Sequence, residues 1–231
     1  MGKDVIIACD FGSKQATLEF LDKFTDVKPF VKIGMELYFA EGPDIVREIK
    51  ARGHKIFLDL KMHDIPNTVK KAMRSIASLG VDMTNVHAGG GIAMMQAAME
   101  GLEGKAILIA VTQLTSTNAD TLKNELLIDK SMNETIMQYA INTSKAGLGG
   151  VVCSPLESEM IHSHFAKNNI PFITVTPGIR FADSSKDDQS RITTPAKAKE
   201  MGSDYIVVGR PITQAEDPVA AYKRCVAEFI D

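Results

Sequence analysis

The chain has 231 residues, of which 45% are hydrophobic and 24% are charged. This composition is that of an average globular protein, and it excludes a disordered chain or one embedded in a membrane. The formal net charge of −3 excludes a broad basic surface for nucleic acid, so an anionic ligand must be held by a few local cations and backbone N–H groups. The length fits a single domain over residues 1–231, and we expect a small molecule as its ligand.

Short runs of β-branched and apolar residues recur along the chain, and amphipathic helical stretches separate them. We predict eight strands, at residues 5–8, 30–33, 55–60, 83–86, 106–111, 150–153, 172–174 and 205–208. Nearly continuous apolar strands that alternate with helices indicate a parallel sheet, because parallel neighbours need crossover helices. The expected fold is therefore α/β, a single (β/α)8 TIM barrel whose site lies at the C-terminal ends of the strands.

Local signals mark helix starts and long connections. Ser154 precedes Pro155 with Glu157 in capping-box position, and Thr194 precedes Pro195 in the same way. Two connections are longer than the rest: residues 115–133 after the fifth strand and residues 177–194 after the seventh. Because loops of this length in a compact barrel are usually lids or binding loops, we expect ligand contacts there.

The three cysteines, Cys9, Cys153 and Cys225, are an odd number at spacings that match neither a zinc site nor a redox pair. We expect reduced core thiols in a reducing compartment. The apolar run at residues 5–8 has the length of a strand, far short of a signal peptide or a membrane span. A cytoplasmic protein without a membrane anchor is expected.

Four charged residues are expected to converge near the ends of the second and third strands. Asp59 and Lys61 alternate along the third strand and so share the face toward the barrel mouth. Lys32 lies near the end of the neighbouring strand, and Asp64 follows the third strand in the next loop. Opposite charges about 4 Å apart attract by roughly 4 kcal/mol at an effective dielectric constant of 20, which keeps both lysines protonated. The array suits a fixed proton donor, while a structural ion-pair ladder or a solvated strand end is the alternative.

Two glycine–arginine pairs follow the last two predicted strands, Gly178-Ile179-Arg180 and Gly209-Arg210. Barrels of this kind bind phosphate at that position. The glycines let backbone N–H groups approach an anion, and an arginine can donate two hydrogen bonds to it. Either pair alone also fits an ordinary turn with a surface arginine, but both together in adjacent loops favour an anion site.

The run Asp59-Leu60-Lys61-Met62-His63-Asp64-Ile65-Pro66-Asn67-Thr68 resembles the signature of the orotidine 5'-monophosphate decarboxylase family. The resemblance extends over nearly the whole chain and rests on Ala8-Cys9-Asp10, Val31-Lys32-Ile33-Gly34, Val86-His87-Ala88-Gly89-Gly90, Leu114-Thr115-Ser116, Val152-Cys153-Ser154-Pro155-Leu156-Glu157, Thr176-Pro177-Gly178-Ile179-Arg180, Asp187-Asp188-Gln189 and Val208-Gly209-Arg210-Pro211-Ile212. Each short segment alone is weak evidence for the family. All of them together, in this order along the chain, are highly specific for it.

The resemblance implies roles for the charged array. Lys61 would protonate the pyrimidine ring carbon as carbon dioxide departs, and Asp59 would lie against the substrate carboxylate. Lys32 and Asp64 complete the catalytic set. The resemblance further implies a homodimer, in which Asp64, Ile65 and Thr68 reach into the partner subunit's site.

The resemblance also implies substrate contacts by Asp10, Lys32, Thr115, Pro177, Arg180, Gln189, Gly209 and Arg210. Thr115 would face the amide edge of the pyrimidine, whereas Arg180, Gln189, Gly209 and Arg210 would contact the phosphate or close the lid. Asp10 would accept a hydrogen bond from a ribose hydroxyl, although a cap of the following turn is the simpler alternative. Ser154 is assigned only to a helix cap, and His87 has no predicted catalytic role.

No fingerprint for pyridoxal phosphate, thiamin, nicotinamide or metal is found, so we expect no cofactor and no metal. Keto-sugar-phosphate decarboxylases and hexulose-phosphate synthases are the nearest alternative, because they resemble this barrel and share its Asp-Xaa-Lys-Xaa-Xaa-Asp motif. Those relatives bind magnesium and place an acid where this chain has Lys32. A catalytically inactive nucleotide-binding barrel is the alternative from another class, for which a broken charge array is expected.

Overall fold

The computed structural model describes residues 3–182 and 193–231. Its eight parallel strands pair in sequential order and close into a barrel. The strands are β1 (Asp4–Ala8), β2 (Phe30–Ile33), β3 (Ile56–Met62), β4 (Met83–His87), β5 (Ile107–Val111), β6 (Gly150–Val152), β7 (Ile173–Thr176) and β8 (Tyr205–Val208). The (β/α)8 prediction is confirmed.

The helices surround the barrel on its outside. They are α1 (Lys14–Leu21), α2 (Met35–Glu41), α3 (Pro43–Ala51), α4 (Pro66–Ala77), α5 (Gly91–Leu102), α6 (Met132–Lys145), α7 (Pro155–Ala166), α8 (Pro195–Glu200), α9 (Arg210–Thr213) and α10 (Pro218–Phe229). A turn of π-helix, Thr121–Glu125, lies in the long connection between β5 and α6. Among residues 3–182 and 193–231, no helix is long and apolar enough to cross a membrane.

Side-chain caps begin the helices at the predicted places. The Ser154 side chain accepts from a backbone N–H in the first turn of α7, and Glu157 Oε2 accepts from the Ser154 N–H at 2.7 Å. The Thr194 side chain accepts from the Lys197 N–H at the start of α8. Both capping predictions are confirmed. Ser154 is fully buried and caps α7.

Two strands run two residues further toward the barrel mouth than we predicted, and β4 runs one residue further, to His87. β3 continues to Met62, beyond the predicted end at residue 60, and pairs there with Val86 after a register shift between Leu58 and Met62. β7 continues to Thr176, whose buried hydroxyl donates to Tyr205 O at 3.2 Å. The prediction ended β3 before the charged Lys61 and β7 at Thr174, but Lys61 pairs with Asp59 and Thr176 with Tyr205, so polar residues continue both strands.

Two apolar layers hold the barrel together. Its interior is filled by Ile6, Ala8, Phe30, Phe57, Met83, Ile109, Ile173, Val175, Tyr205 and Val207. A larger layer between strands and helices contains Leu58, which is fully buried, with Leu60 packed against it. Because side chains fill the interior, the barrel is a packed core, and a ligand has room only at the mouth. Cys9, Cys153 and Cys225 are all buried, and none forms a disulfide.

Candidate active site

Three of the four predicted array residues meet at the C-terminal ends of β2 and β3. Asp59 Oδ1 lies 2.8 Å from Lys61 Nζ, and Asp59 Oδ2 lies 3.6 Å from Lys32 Nζ. Lys32 Nζ also lies 2.8 Å from Asp10 Oδ1, just beyond the end of β1. The register of parallel strands produces this arrangement, because Ala8 pairs with Lys32 and Lys32 pairs with Phe57, two residues before Asp59. Carboxylate and ammonium groups therefore alternate around this side of the mouth.

Lys32 and Asp59 at the centre of the array are buried, and the charges of the array stabilise one another. Burial alone would lower the pKa of Lys32, but the carboxylates of Asp59 and Asp10 outweigh that effect and raise this pKa above its usual value. Burial alone would raise the pKa of Asp59, but Lys32, Lys61 and a hydrogen bond from Asn85 hold that pKa below its usual value. Lys32 and Asp59 consequently stay charged at neutral pH.

Asn85 on β4 is a member of this cluster that sequence reasoning missed. Its side chain is fully buried. Asn85 Nδ2 donates to Asp59 Oδ1 at 2.7 Å, and Asn85 Oδ1 accepts from the Lys61 N–H at 2.8 Å. An amide side chain in the middle of a predicted buried strand was the available signal, because such a group needs hydrogen-bond partners.

A cavity of about 210 Å³ opens above the charged array. It is lined by Lys32, Phe57, Asp59, Lys61, Val111, Gln113, Leu114, Thr115, Ser116, Val152, Cys153, Pro177 and Val207. One wall is charged, the floor is apolar, and the residues that follow β5 supply polar groups, among them the predicted Thr115. Such a cavity suits a flat ring that carries a charged substituent on one edge.

A second cavity, of about 410 Å³, adjoins the first. Lys32, Pro177 and Val207 line both cavities. The second is further lined by Ala8, Asp10, Phe11, Gly178, Arg180, Gly209, Arg210, Thr213 and Gln214. It thus brings together both predicted glycine–arginine pairs and Asp10. The side chain of Arg180 is buried there, with Nη1 donating to Ile179 O at 2.8 Å.

Asp64, Ile65 and Thr68 lie away from the array of their own chain. All three are exposed, and Ile65 is 67% exposed. Asp64 Oδ1 accepts from the Ile65 N–H at 2.6 Å, and Asp64 forms no ion pair within the described part of the chain. The predicted lid residue Gln189 lies outside the described residues.

Two histidines stand at the rim beside the array. His87 ends β4, and its ring centroid lies 5.8 Å from that of His63. Burial, then the neighbouring His63 and Lys61, lower the pKa of His87 below its usual value, so His87 is neutral at pH 7. In residues 3–182 and 193–231, no three His, Cys, Asp or Glu side chains are grouped to hold a metal ion.

A closed parallel barrel with a charged cavity and an arginine-lined cavity at its C-terminal mouth has the form of a (β/α)8-barrel enzyme. Residues 3–225 match the family model described as "Orotidine 5'-phosphate decarboxylase / HUMPS family". The chain belongs to this family, and the resemblance seen in the sequence is confirmed.

Curated relatives agree with this assignment. The orotidine 5'-phosphate decarboxylase of Streptococcus thermophilus is 56% identical over 227 residues, which cover 98% of this chain and 97% of the relative. That of a Geobacillus species is 51% identical over 236 residues, which cover 99% and 98%. Among solved structures, orotidine 5'-phosphate decarboxylase from Lactobacillus acidophilus matches with a TM-score of 0.87 at 42% identity, over 99% of this chain and 100% of that one.

Proposed function

We propose that the protein converts orotidine 5'-monophosphate to uridine 5'-monophosphate and carbon dioxide, with Lys61 as the proton donor. Its family and the names of its relatives make it a carboxy-lyase, and they support decarboxylation of this nucleotide in pyrimidine biosynthesis. The observation that carries the proposal is the Lys61–Asp59–Lys32–Asp10 chain of alternating charges. Its first three members line the smaller cavity, and Asp10 lines the adjoining arginine-lined cavity.

The two cavities account for the parts of such a substrate. The pyrimidine ring occupies the smaller cavity, with its carboxylate toward Asp59 and its amide edge toward Thr115. The phosphate occupies the larger cavity near Arg180 and Arg210. Lys32 lines both cavities and donates to Asp10 of the larger one, so the ribose that joins ring and phosphate would contact both side chains.

In the proposed reaction, the bond between the ring carbon and the carboxylate breaks, carbon dioxide leaves, and the electron pair remains on the ring carbon. Asp59 disfavours the bound carboxylate, since two anions face each other there. The Lys61 ammonium, held 2.8 Å from Asp59, stabilises the developing carbanion and then transfers its proton to it. Solvent returns a proton to Lys61. The chain's own fixed charges supply the stabilisation at each step.

We further propose that a homodimer completes the site. Asp64, Ile65 and Thr68 are exposed at the start of α4, and Asp64 has no ion-pair partner among the described residues of its own chain. An exposed Ile65 is also the kind of apolar side chain that a subunit contact buries. These residues would extend into the partner subunit's cavity and bring Asp64, the remaining member of the predicted array, to Lys61, Asp59 and Lys32.

The alternative within the family, a keto-sugar-phosphate lyase or synthase, is disfavoured by Lys32. Such an enzyme needs acidic side chains to hold magnesium, whereas Lys32 brings a buried ammonium between Asp59 and Asp10. We also propose a cytoplasmic location, because all three cysteines are buried thiols that form no disulfide.

Ultraviolet absorbance tests the function directly. Metal-stripped protein is mixed with orotidine 5'-monophosphate, with the Lys61→Ala variant as the control. We expect the spectrum to change to that of uridine 5'-monophosphate with the wild type but not with the variant. An unchanged spectrum with the wild type, followed by turnover of a keto-sugar phosphate once magnesium is added, would establish the alternative instead.

A further inference from the structure

Asn85 connects the two residues to which the proposed reaction gives the central roles. We propose that Asn85 is a positioning residue, whose amide holds the Asp59 carboxylate and the Lys61 backbone in the arrangement that proton delivery requires. This inference rests on the proposed function. Asn85 is fully buried and is not part of the cavity lining, so it acts through Asp59 and Lys61 rather than by touching substrate.

Both the oxygen and the nitrogen of the Asn85 amide form hydrogen bonds, and only one orientation of the amide allows both. The Lys61 N–H can only donate, so it requires the carbonyl oxygen of Asn85, and the Asp59 carboxylate can only accept, so it requires the NH2 group. A rotated amide would lose both hydrogen bonds at once. Aspartate, leucine and serine each lack one of these groups or the length to present it, so asparagine fits this position specifically.

The backbone of Lys61 shows why such a support is needed. Its φ is 50°, in the left-handed region that residues with a side chain rarely adopt. It lies within the register shift of β3, between Leu58 and Met62. A conformation of this kind persists only where the surroundings impose it. The hydrogen bond from the Lys61 N–H to Asn85 supplies such a constraint, and the conformation in turn aims Nζ at Asp59.

The Asp59 carboxylate also depends on Asn85 for its orientation. Its Oδ1 faces Lys61 Nζ at 2.8 Å and Asn85 Nδ2 at 2.7 Å, whereas Oδ2 faces Lys32 Nζ at 3.6 Å. Lys32 and Lys61 are the charged groups that act on the pKa of Asp59, and Asp59 in turn partly opposes the lowering of the pKa of His87 at the end of β4. Without Asn85, the carboxylate could rotate toward the buried Lys32 and leave Lys61 without its partner.

The test compares Asn85→Leu with Thr84→Val. Leucine has a similar size but makes neither hydrogen bond. Thr84 is the adjacent buried residue of β4, and its hydroxyl donates to Leu58 O at 2.9 Å, so Thr84→Val removes a buried hydrogen bond from the same strand but leaves the array intact. We expect Asn85→Leu to lower kcat about 100-fold, as misplaced catalytic groups do, with little change in KM, whereas Thr84→Val keeps the wild-type kcat.

The pH profile distinguishes positioning from a purely structural role. Loss of a hydrogen-bond donor to Asp59 favours its protonated form, so the acidic limb of kcat should move to higher pH in Asn85→Leu. A structural defect would lower kcat equally at every pH and leave that limb in place. A wild-type kcat or an unmoved acidic limb in Asn85→Leu would overturn the proposal.

Crystal structures separate this inference from the proposed function. In Asn85→Leu without substrate, the Lys61 φ should leave the left-handed region and Lys61 Nζ should move out of contact with Asp59. Retention of both would overturn the positioning role, whereas a wild type that leaves orotidine 5'-monophosphate unchanged refutes only the proposed function.

If Asn85→Leu does not fold, Asn85→Asp replaces it, because aspartate keeps the acceptor for Lys61 but repels Asp59. A wild-type kcat in that variant would refute the role.

Discussion

At the residue scale, the site depends on how a buried carboxylate is stabilised. Asp59 is about one-tenth exposed and is contacted by two ammonium groups and one amide. A carboxylate in such a place is tolerated only because it is paired and hydrogen-bonded. The same pairing fixes the ammonium of Lys61, so the residue that stabilises the fold locally also orients the proposed proton donor.

Asp59→Asn should destabilise the protein in a pH-dependent way. At neutral pH we expect the free energy of unfolding to fall by about 3 kcal/mol, because the buried Lys32 ammonium and the partly buried Lys61 ammonium lose their common partner. Since the folded-state pKa of Asp59 lies below the usual 3.8, its contribution is present above 3.8 and is lost as the pH falls toward the folded-state pKa. The difference from the wild type should therefore shrink in acid, as measured by urea unfolding at several pH values.

Asp44→Asn is the matched control for this experiment. Asp44 pairs with Arg47 on an exposed face of α3, where its side chain is 79% exposed. Such an exposed ion pair contributes less than about 1 kcal/mol to the free energy of unfolding. Two results would contradict this account of Asp59. One is that Asp59→Asn lowers the free energy of unfolding no more than Asp44→Asn does, and the other is that its effect does not change with pH.

At the scale of strands and loops, the sequence predicted most of the site but not its finest contacts. Alternation along β3 predicted that Asp59 and Lys61 share a face, and adjacency of β2 predicted Lys32 beside them. The Asp10–Lys32 ion pair and the Asn85 hydrogen bonds depend on inter-strand register and on the irregularity in β3, which no local pattern reveals. Side-chain reach across neighbouring strands is set by the closed barrel as a whole.

The loops after β7 and β8 lead to a prediction about the phosphate. Arg210, at the start of α9, lines the larger cavity with Arg180. We expect Arg210→Ala to lower kcat/KM for the nucleotide about 100-fold, which corresponds to one or two charge-assisted hydrogen bonds, and to change turnover of phosphate-free orotidine little. Steady-state kinetics on both substrates measure this, with exposed Arg47→Ala as the control. Equal losses on the two substrates would contradict phosphate binding by Arg210.

At the scale of the whole molecule, the closed barrel brings residues from several strand ends and from the loops after them to a common mouth. The strand pattern alone predicted this architecture, because the alternation of apolar strands with helices is preserved from one end of the chain to the other. Assembly could not be derived in the same way. It depends on a second surface, and the exposed positions of Asp64, Ile65 and Thr68 are the observation on which the dimer proposal rests.

Mixing two inactive variants tests the proposed dimer. If the partner subunit supplies Asp64, a heterodimer of Lys61→Ala and Asp64→Ala has one intact site and one doubly altered site. Random exchange of subunits makes half of the dimers mixed, so about a quarter of the wild-type activity should return. The control pairs Lys61→Ala with Asp59→Ala, which belong to the same site and should restore nothing. No recovery in the first mixture after proven subunit exchange would contradict a shared site.

The most direct test of the central claim is a comparison of turnover and product binding in Lys61→Ala. We expect turnover to fall by about 1,000-fold or more, since proton transfer and carbanion stabilisation are both lost. The affinity for uridine 5'-monophosphate, measured by calorimetry, should stay close to that of the wild type because the arginine-lined cavity is unchanged. Normal turnover by Lys61→Ala would contradict the account.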